Sequence, residues 1–517
     1  MARLHEYQGK AILKQFGVPV PNGGVASTPE EAARIAAEIG GPVVVKAQAW
    51  VTKRAGLGAI RFAESPADAA AAARALLGMQ IGQFTVDRVL VEQKLAIQRE
   101  FYAGVIVDDR ARAPVVIFSS VGGTGIEDIV QAHPDQVAQH VVDIRLGLRD
   151  FEARELARRA GVHGGLQLKL GEVIARLYEA GRAYDARAAE INPLVLTASG
   201  DLVAADSRFT IDDYAVYRHK DLDIEIAREF DRPPTALEKI AWGVESGDYR
   251  GTFYFVQMEQ GFSKGDGVIG FHGAGGGGSM MSMDAVLARG FKIANFVDTS
   301  GNPPASKVYR AARIILSQPG LDGYFASGSG VASQEQFHSA RGLVKAFMEK
   351  PLTIPAVIRL GGNAEEQAIE ILHRARGEFP APVEGYGKDD SPDFCAGRLR
   401  ALVDSWTPPA TIPPGRGKPE AAEPYTFETV TGGAVTLDHA RCRACESKAC
   451  IESCAPKILS LDAERGVPVL NITREEAKKG GCTECLACEI ECYFRGNQGG
   501  YVELPIAGLD EYAQAVR

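Results

Sequence analysis

Residues 268–286, Val-Ile-Gly-Phe-His-Gly-Ala-Gly-Gly-Gly-Gly-Ser-Met-Met-Ser-Met-Asp-Ala-Val, pass from an apolar run through a glycine-rich turn into a helical pattern. The same order recurs at 321–348 (LDGYFASGSGVASQEQFHSARGLVKAFM) and at 355–372 (PAVIRLGGNAEEQAIEIL). Repeated strand, turn and helix units of this length predict a doubly wound parallel α/β sheet covered by helices. The turns supply Gly275, Gly276, Gly277, Gly328 and Gly330, and the first helix is expected to start near Met280. N–H groups at such a helix start favour an anion. Arg359 adds a guanidinium at a strand's carboxyl end, the edge where open α/β sheets hold ligands.

Upstream, the first ~235 residues read as mixed α/β. The segment MARLHEYQGKAILKQFG suits an amphipathic helix, and Thr28-Pro29-Glu30-Glu31 supplies a cap, a first-turn proline and an acidic third residue for another. Strand-like runs follow at Pro42, Val89, Phe101, Pro114 and Ile191. Downstream, residues 407–433 carry six prolines and several glycines, the composition of a stiff extended linker. The expected domains are therefore 1–235, 236–406, the linker 407–433, and 434–517.

The chain has 517 residues, 45% apolar and 24% charged, with a net charge of −9. This composition indicates several folded domains with no general attraction to nucleic acid. No run reaches the roughly 18 apolar residues of a membrane span. Eight of the nine cysteines lie between Cys442 and Cys492, a local device suited to a reducing, cytoplasmic setting. Cys395 stands apart as a bystander thiol.

The cysteine spacing is Cys442-x2-Cys445-x4-Cys450-x3-Cys454, then Cys482-x2-Cys485-x2-Cys488-x3-Cys492. Paired C-x2-C motifs also make four-thiolate zinc sites. Two complete runs ending in x3-C favour two 4Fe-4S clusters, with the fourth cysteine of each run crossing to the other cluster. The expected sets are Cys442, Cys445, Cys450 with Cys492, and Cys482, Cys485, Cys488 with Cys454. The segment resembles bacterial-type ferredoxins, an α+β fold, and its wide first run is most similar to the small ferredoxin-like proteins associated with electron-transfer-flavoprotein quinone oxidoreductases. It departs from them at Ala455-Pro456, where the ferredoxin pattern places proline directly after the cysteine.

A second resemblance covers about residues 1–400. Leu4–Pro21 (LHEYQGKAILKQFGVPVP), Val43–Gln48 (VVVKAQ), Ala189–Asp206 (AEINPLVLTASGDLVAAD) and the glycine-rich turns look like the β-subunit of succinyl-CoA synthetase. The motif order is also similar to ATP-citrate lyase and citryl-CoA synthetase, which are ATP-grasp acid-thiol ligases. The resemblance implies an ATP-grasp domain followed by a flavodoxin-like ligase domain. It implies that Lys46 contacts ATP phosphates, that Glu92 lies at the hinge by the adenine ribose end, and that Asn192 and Asp206 hold Mg²⁺. Glu190 would lie near the phosphotransfer centre. The family's glycine-rich loop is replaced by a stretch containing Lys53 and Arg54, whose cations would substitute for backbone donors. Arg359 would meet a substrate carboxylate, but Glu335 would repel one, so the expected acid is not citrate. His272 aligns with a β-subunit turn and is expected to be structural rather than a phosphocarrier.

The expected function is thus one chain of an NDP-forming acid-CoA ligase with a tethered ferredoxin and a redox partner protein. An α-like subunit would supply the phosphohistidine and most of the CoA site. The alternative is an electron-transfer scaffold of a ferredoxin-dependent oxidoreductase complex, in which the ligase fold is inactive.

Overall fold

The stretch that begins at Val268 forms the first strand of a parallel sheet. In this computed structural model the described residues are 2–50, 54–82, 84–123, 125–224, 232–248, 251–328 and 330–516. They divide into two units, Met1–Pro234 and Thr235–Arg517.

In the second unit the parallel strands lie in the order Lys292–Asp298, Val268–Ala274, Gly323–Gly328, Ala356–Arg359 and Val383–Tyr386, with Tyr254–Gln257 antiparallel at the edge. This 2-1-3-4-5 order of the parallel strands is flavodoxin-like, and its topological switch point lies beside Val268–Ala274. One face packs Ile269, Phe271, Phe325 and Val357 against Val286, Cys395 and Leu399 of the helices Gly276–Ala288 and Pro392–Ser405. The other face carries the helices Ala305–Leu316, Phe337–Glu349 and Glu365–Arg374.

The helix Phe337–Glu349 is buried on every side from Ser339 to Met348. A helix without a wet face needs a second partner beyond its sheet, and here that partner is the cysteine-rich segment. The latter forms a three-stranded antiparallel sheet, Pro424–Glu428, Ala434–Asp438 and Gly500–Glu503, with a small hairpin of Leu459–Asp462 and Val467–Leu470. Its apolar residues join the core of the parallel sheet in one hydrophobic cluster.

The expected linker is corrected on two counts. Pro424–Glu428 is a strand, with its proline at the first position where a missing N–H is tolerated and Phe427 turned into the core. The preceding residues are laid along the α/β domain, where the Arg416 N–H donates to Met348 O at 2.8 Å. The module is docked rather than tethered. Lys345 Nζ donates to Glu489 at 2.8 and 3.0 Å, and Arg416 Nη1 donates to the same carboxylate at 3.0 Å.

The described part of the first unit has two larger antiparallel sheets and a two-stranded pairing of Gln80–Ile81 with Phe84–Thr85. One orders Gly23–Ala26, Val89–Gln93, Val43–Ala47 and Ile60–Ala63. The other runs Ala2–Arg3, Ser207–Ile211, Ala186–Thr197, Ile97–Asp108, Ala113–Ser119 and Val137–Val141, with Leu202–Ala204 paired to Ala186–Thr197. The helix Pro29–Ile39 starts where the sequence places it, with the Thr28 side chain accepting from Glu31 N–H at 3.2 Å. No described helix is long and apolar enough to cross a membrane.

Glu489 is fully buried and Lys345 nearly so, at 0% and 1% exposure. Glu489→Ala leaves buried cations under-compensated and should destabilise the second unit by about 3–5 kcal/mol in urea unfolding of the full chain. A loss below about 1 kcal/mol would show that the pair does not anchor the module.

Candidate functional site

Glu190 lies on the strand Ala186–Thr197, directly opposite Arg208 on one neighbouring strand and Gly104 on the other. Tyr102 Oη donates to Glu190 Oε2 at 3.1 Å. A Cβ at position 104 would stand 2.5 Å from that hydroxyl, so glycine there lets the ring reach the carboxylate. Burial raises the Glu190 pKa against the pull of Arg208, and Asp206 and Glu127 add to the rise. Asn192 sits inside the same strand where its register shifts, rather than in a turn. Its Oδ1 accepts from Gly123 N–H at 3.0 Å, and its N–H donates to Asp206 O at 3.3 Å. Asp206 Oδ1 accepts from Ser207 N–H at 2.7 Å. The structure therefore gathers Glu190, Asn192 and Asp206. Carboxylates and an amide oxygen crowded in a partly buried place form a hard donor set that suits Mg²⁺.

Two of the expected ligand-facing residues have partners within the protein. Lys46 is buried, and its three N–H groups meet Glu6 Oε1 at 2.8 Å, Ala205 O at 2.6 Å and Glu92 Oε2 at 2.9 Å. Burial lowers its pKa, but Glu6, Glu92 and Asp206 outweigh it, and the ammonium is held charged. The anion it requires is thus supplied by the protein. Glu92 is 2% exposed and bound to Lys10 at 2.6 and 2.7 Å as well, so its carboxylate is engaged by two lysines. Sequence reading missed Glu6, Lys10, Tyr102 and Arg208. The Glu6/Lys10 pair was visible as an i,i+4 couple on the opening helix. Lys53 and Ser329 lie outside the described residues, as do Val51, Thr52, Thr124 and the side chain of Arg54.

At the parallel sheet, the expected glycine-rich loop is shorter than its composition suggests. The strand runs to Ala274 and the helix begins at Gly276, so Gly276 and Gly277 are helical and the turn is Gly275 alone, with φ of 88°. Asp298 Oδ1 accepts from Gly275 N–H at 2.9 Å and from Ser300 N–H at 2.8 Å, which places the protein's own carboxylate at this helix start. After Gly328 and Gly330 the chain continues as a loop to a helix at Phe337. Arg359, expected to meet substrate, instead donates to Asp390 O at 2.6 Å, Gly328 O at 3.0 Å and Lys388 O at 3.0 Å. It braces the loops at the strand ends. Glu335 is exposed on the loop before that helix.

His272 is 4% exposed, with Nδ1 2.6 Å from Tyr324 Oη, and burial pushes its pKa down to about 3. It is a neutral core histidine. Burial likewise pushes the Cys395 thiol up to about 12.

In the module, Cys454, Cys482, Cys485 and Cys488 line one small cavity with Phe427, Ile458, Leu486 and Val502. Glu484 and Leu486, with φ of 52° and 58°, turn the loop that aims these thiols inward. Cys442, Cys445 and Cys450 instead have Cys492 as their electrostatic neighbour. The Cys492 Sγ accepts from Gly500 N–H at 3.3 Å. Burial pushes Cys442, Cys450 and Cys482 up to about 12 and Cys488 well above its usual value. The wide loop of the first run is pinned by Lys448 Nζ, which donates to Cys442 O and Gly466 O. Among the described residues no three His, Cys, Asp or Glu side chains are grouped to hold a metal ion. The four thiols that line the cavity are the soft donors a polynuclear cluster would take.

Residues 3–196 match the ATP-grasp domain family. The β-subunit of GDP-forming succinate–CoA ligase from Thermus thermophilus is 42% identical over 369 residues, spanning 71% of this chain and 93% of that protein. The ADP-forming β-subunit from Chloroflexus aurantiacus is 38% identical over 376 residues, 72% and 94% of the two chains. ATP citrate lyase from Methanothrix soehngenii, solved with citrate and coenzyme A, shares the fold, with a TM-score of 0.64, 19% identity and coverage of 77% of this chain and 99% of that one. Fold and site thus define a multidomain α/β protein of the ATP-grasp class. Within that class, the chain belongs to the succinate–CoA ligase β-subunit family.

Because His272 is neutral when folded and takes a proton when unfolded, its stabilisation is present above its ordinary pKa of 6.5 and is lost as pH falls toward about 3. This one group should cost about 1.4 kcal/mol per pH unit in that window. Urea unfolding between about pH 7 and pH 5 should show a shallower acid slope in His272→Gln than in the parent. Identical slopes would mean that the imidazole is not buried neutral.

Proposed function

We propose that this chain is the β-like subunit of an NDP-forming acid-CoA ligase, in which ATP or a related nucleoside triphosphate, a small carboxylate and CoA give acyl-CoA, nucleoside diphosphate and phosphate. The gathering of Glu190, Asn192 and Asp206 in one partly buried place carries this reading, and the relatives' names support it. An α-like partner subunit would bring a phosphohistidine and most of the CoA site. Mg²⁺, held by Asn192 and Asp206, would supply charge neutralisation for phosphate oxygens. Glu190 holds a proton more readily than an exposed carboxylate and stands ready to hydrogen-bond an incoming imidazole, with Tyr102 fixing its position. Lys46 reaches a phosphate only by exchanging one of its three present partners. Glu335 remains the argument for an acid other than citrate.

In the same chain, the two crossed cysteine sets would hold two 4Fe-4S clusters, which supply one-electron transfer to a redox partner protein. A second reading, an electron-transfer scaffold with an inactive ligase fold, draws on Arg359, whose guanidinium is engaged by three backbone carbonyls.

Calorimetry separates the two readings. The parent chain should bind Mg-ATP, and Asp206→Ala should weaken that binding on the order of tenfold or more. Equal affinity in the variant would remove Asp206 from the site, and a parent that binds no nucleotide would leave the scaffold. Metal analysis addresses the module, where about eight irons are expected from eight cysteine ligands. Cys488→Ser should disturb one cluster's EPR signal and Cys450→Ser the other; zinc in place of iron would refute the assignment.

A further inference from the structure

The helix Ala305–Leu316 borders a cavity of about 600 Å³ within the second unit. Ser306, Arg310 and Arg313 stand at i, i+4 and i+7 on one face of that helix, and all three line the cavity. The closing residues of the cysteine-rich segment, from Leu504 to Glu511, supply another wall, and Gly243 and Val244 of the helix Ala236–Ser246 a third. None of the cysteines lines it, and neither do Glu190, Asn192 or Asp206. Two donors on the helix face lack acceptors. Ser306 is 1% exposed, and its Oγ has no hydrogen-bond partner. Arg313 Nη1 donates to Tyr309 Oη and to Glu349 Oε2, each at 2.8 Å, while Nε is buried with no partner. Both hydrogen bonds leave from Nη1, so the opposite fork of Nε–H and Nη2 is open. Such a fork matches the two oxygens of a carboxylate. Arg310 adds a second cation, 5% exposed, with long bonds of 3.3 Å to Pro505 O and Thr431 O and its carboxylate neighbour Glu484 at 3.8 Å. Buried donors are costly until acceptors meet them. Asp510 and Glu511 also line the cavity and would repel a polyanion, which limits the guest to a single negative charge.

We propose that this cavity binds an elongated organic monocarboxylate, with its carboxylate on the Arg313 fork and a polar group at its far end on Ser306. Seven residues of helix separate those two positions by about 10 Å, and the volume is in the range of organic-ligand pockets rather than that of a lone ion. Val244, Ile506 and Leu509 offer apolar surface to the body of such a molecule. The site stands apart from the gathering at Glu190 and from the Arg359 loops, so it is a second place for a carboxylate on this chain. Its walls belong partly to the parallel-sheet domain and partly to the cysteine-rich segment, so one ligand touches both.

The probe is 8-hydroxyoctanoate, with 1,8-octanediol as its uncharged counterpart, and the protein is the full-length chain. Calorimetry on the parent should show one saturable site per chain for the acid and at least about tenfold weaker binding of the diol, the size of a lost charge-assisted hydrogen bond. Arg313→Gln should weaken the acid to a similar extent and leave the diol as it was. Gly243→Phe reaches the cavity without touching Arg313. A Cβ at position 243 would meet nothing within 4 Å, so the helix accepts the ring, which should fill the space and abolish binding of the acid with the urea midpoint kept. A parent without saturable binding, acid and diol bound equally, or the parent's affinity for the acid in either variant would each overturn the site. Should Arg313→Gln fail to fold, Gly243→Phe decides alone: loss of binding supports the cavity, and retention overturns it.

Discussion

Charge that has been taken out of water must be answered by charge, and this constraint organises both units. In the first, Glu6, Lys10, Lys46 and Glu92 form a neutral, buried tetrad that joins the opening helix to two strands of the four-stranded sheet. In the second, Glu489 is held by Lys345 and Arg416, and Lys345 also meets Glu349 at 2.6 Å. The fully buried Glu484 accepts from Thr429 and Thr431 with Arg310 nearby at 3.8 Å. Hydrophobic burial brings these elements together, but the charges fix which residue must face which. A module docked through matched ions has one orientation, whereas apolar surfaces alone tolerate sliding.

The same constraint separates residues that hold the fold from residues that face a ligand. Lys46, Glu92 and Arg359 carry the charges a phosphate or carboxylate site would want, yet each has its hydrogen bonds directed inward. Glu190 and Asp206 differ, because like charges crowd there and burial raises the Glu190 pKa. Carboxylates crowded in that way are what a divalent cation or a proton-sharing imidazole can meet.

The fold was legible in the sequence to the extent that it depended on local pattern. The strand, turn and helix rhythm from Val268 was enough for the parallel sheet, and the cap at Thr28 marks a helix that forms as read. What the sequence hid was non-local. Residues 407–433 look like a linker because prolines and glycines dominate, and nothing nearby reveals that Phe427 packs into a core built by residues far upstream. Four consecutive glycines after Ala274 suggest a loop, because glycine lowers helix propensity, yet three of them are helical. Lys46 stands on an apolar strand, where an ammonium needs an anion. Its partners, Glu6 and Glu92, lie on other elements and could not be assigned from its own strand.

The helix Phe337–Glu349 illustrates a problem of timing. Lys345 and its partner Glu489 are 144 residues apart in the chain. At ordinary translation rates, that interval takes roughly 7 to 30 s to synthesise. Throughout it the parallel sheet can be complete while one side of this helix still lacks the segment that covers it. A nascent chain in that state presents an apolar, cation-bearing face to solvent, attractive to chaperones and to other nascent copies. Folding of the cysteine module is therefore also the event that removes a sticky surface from the growing polypeptide.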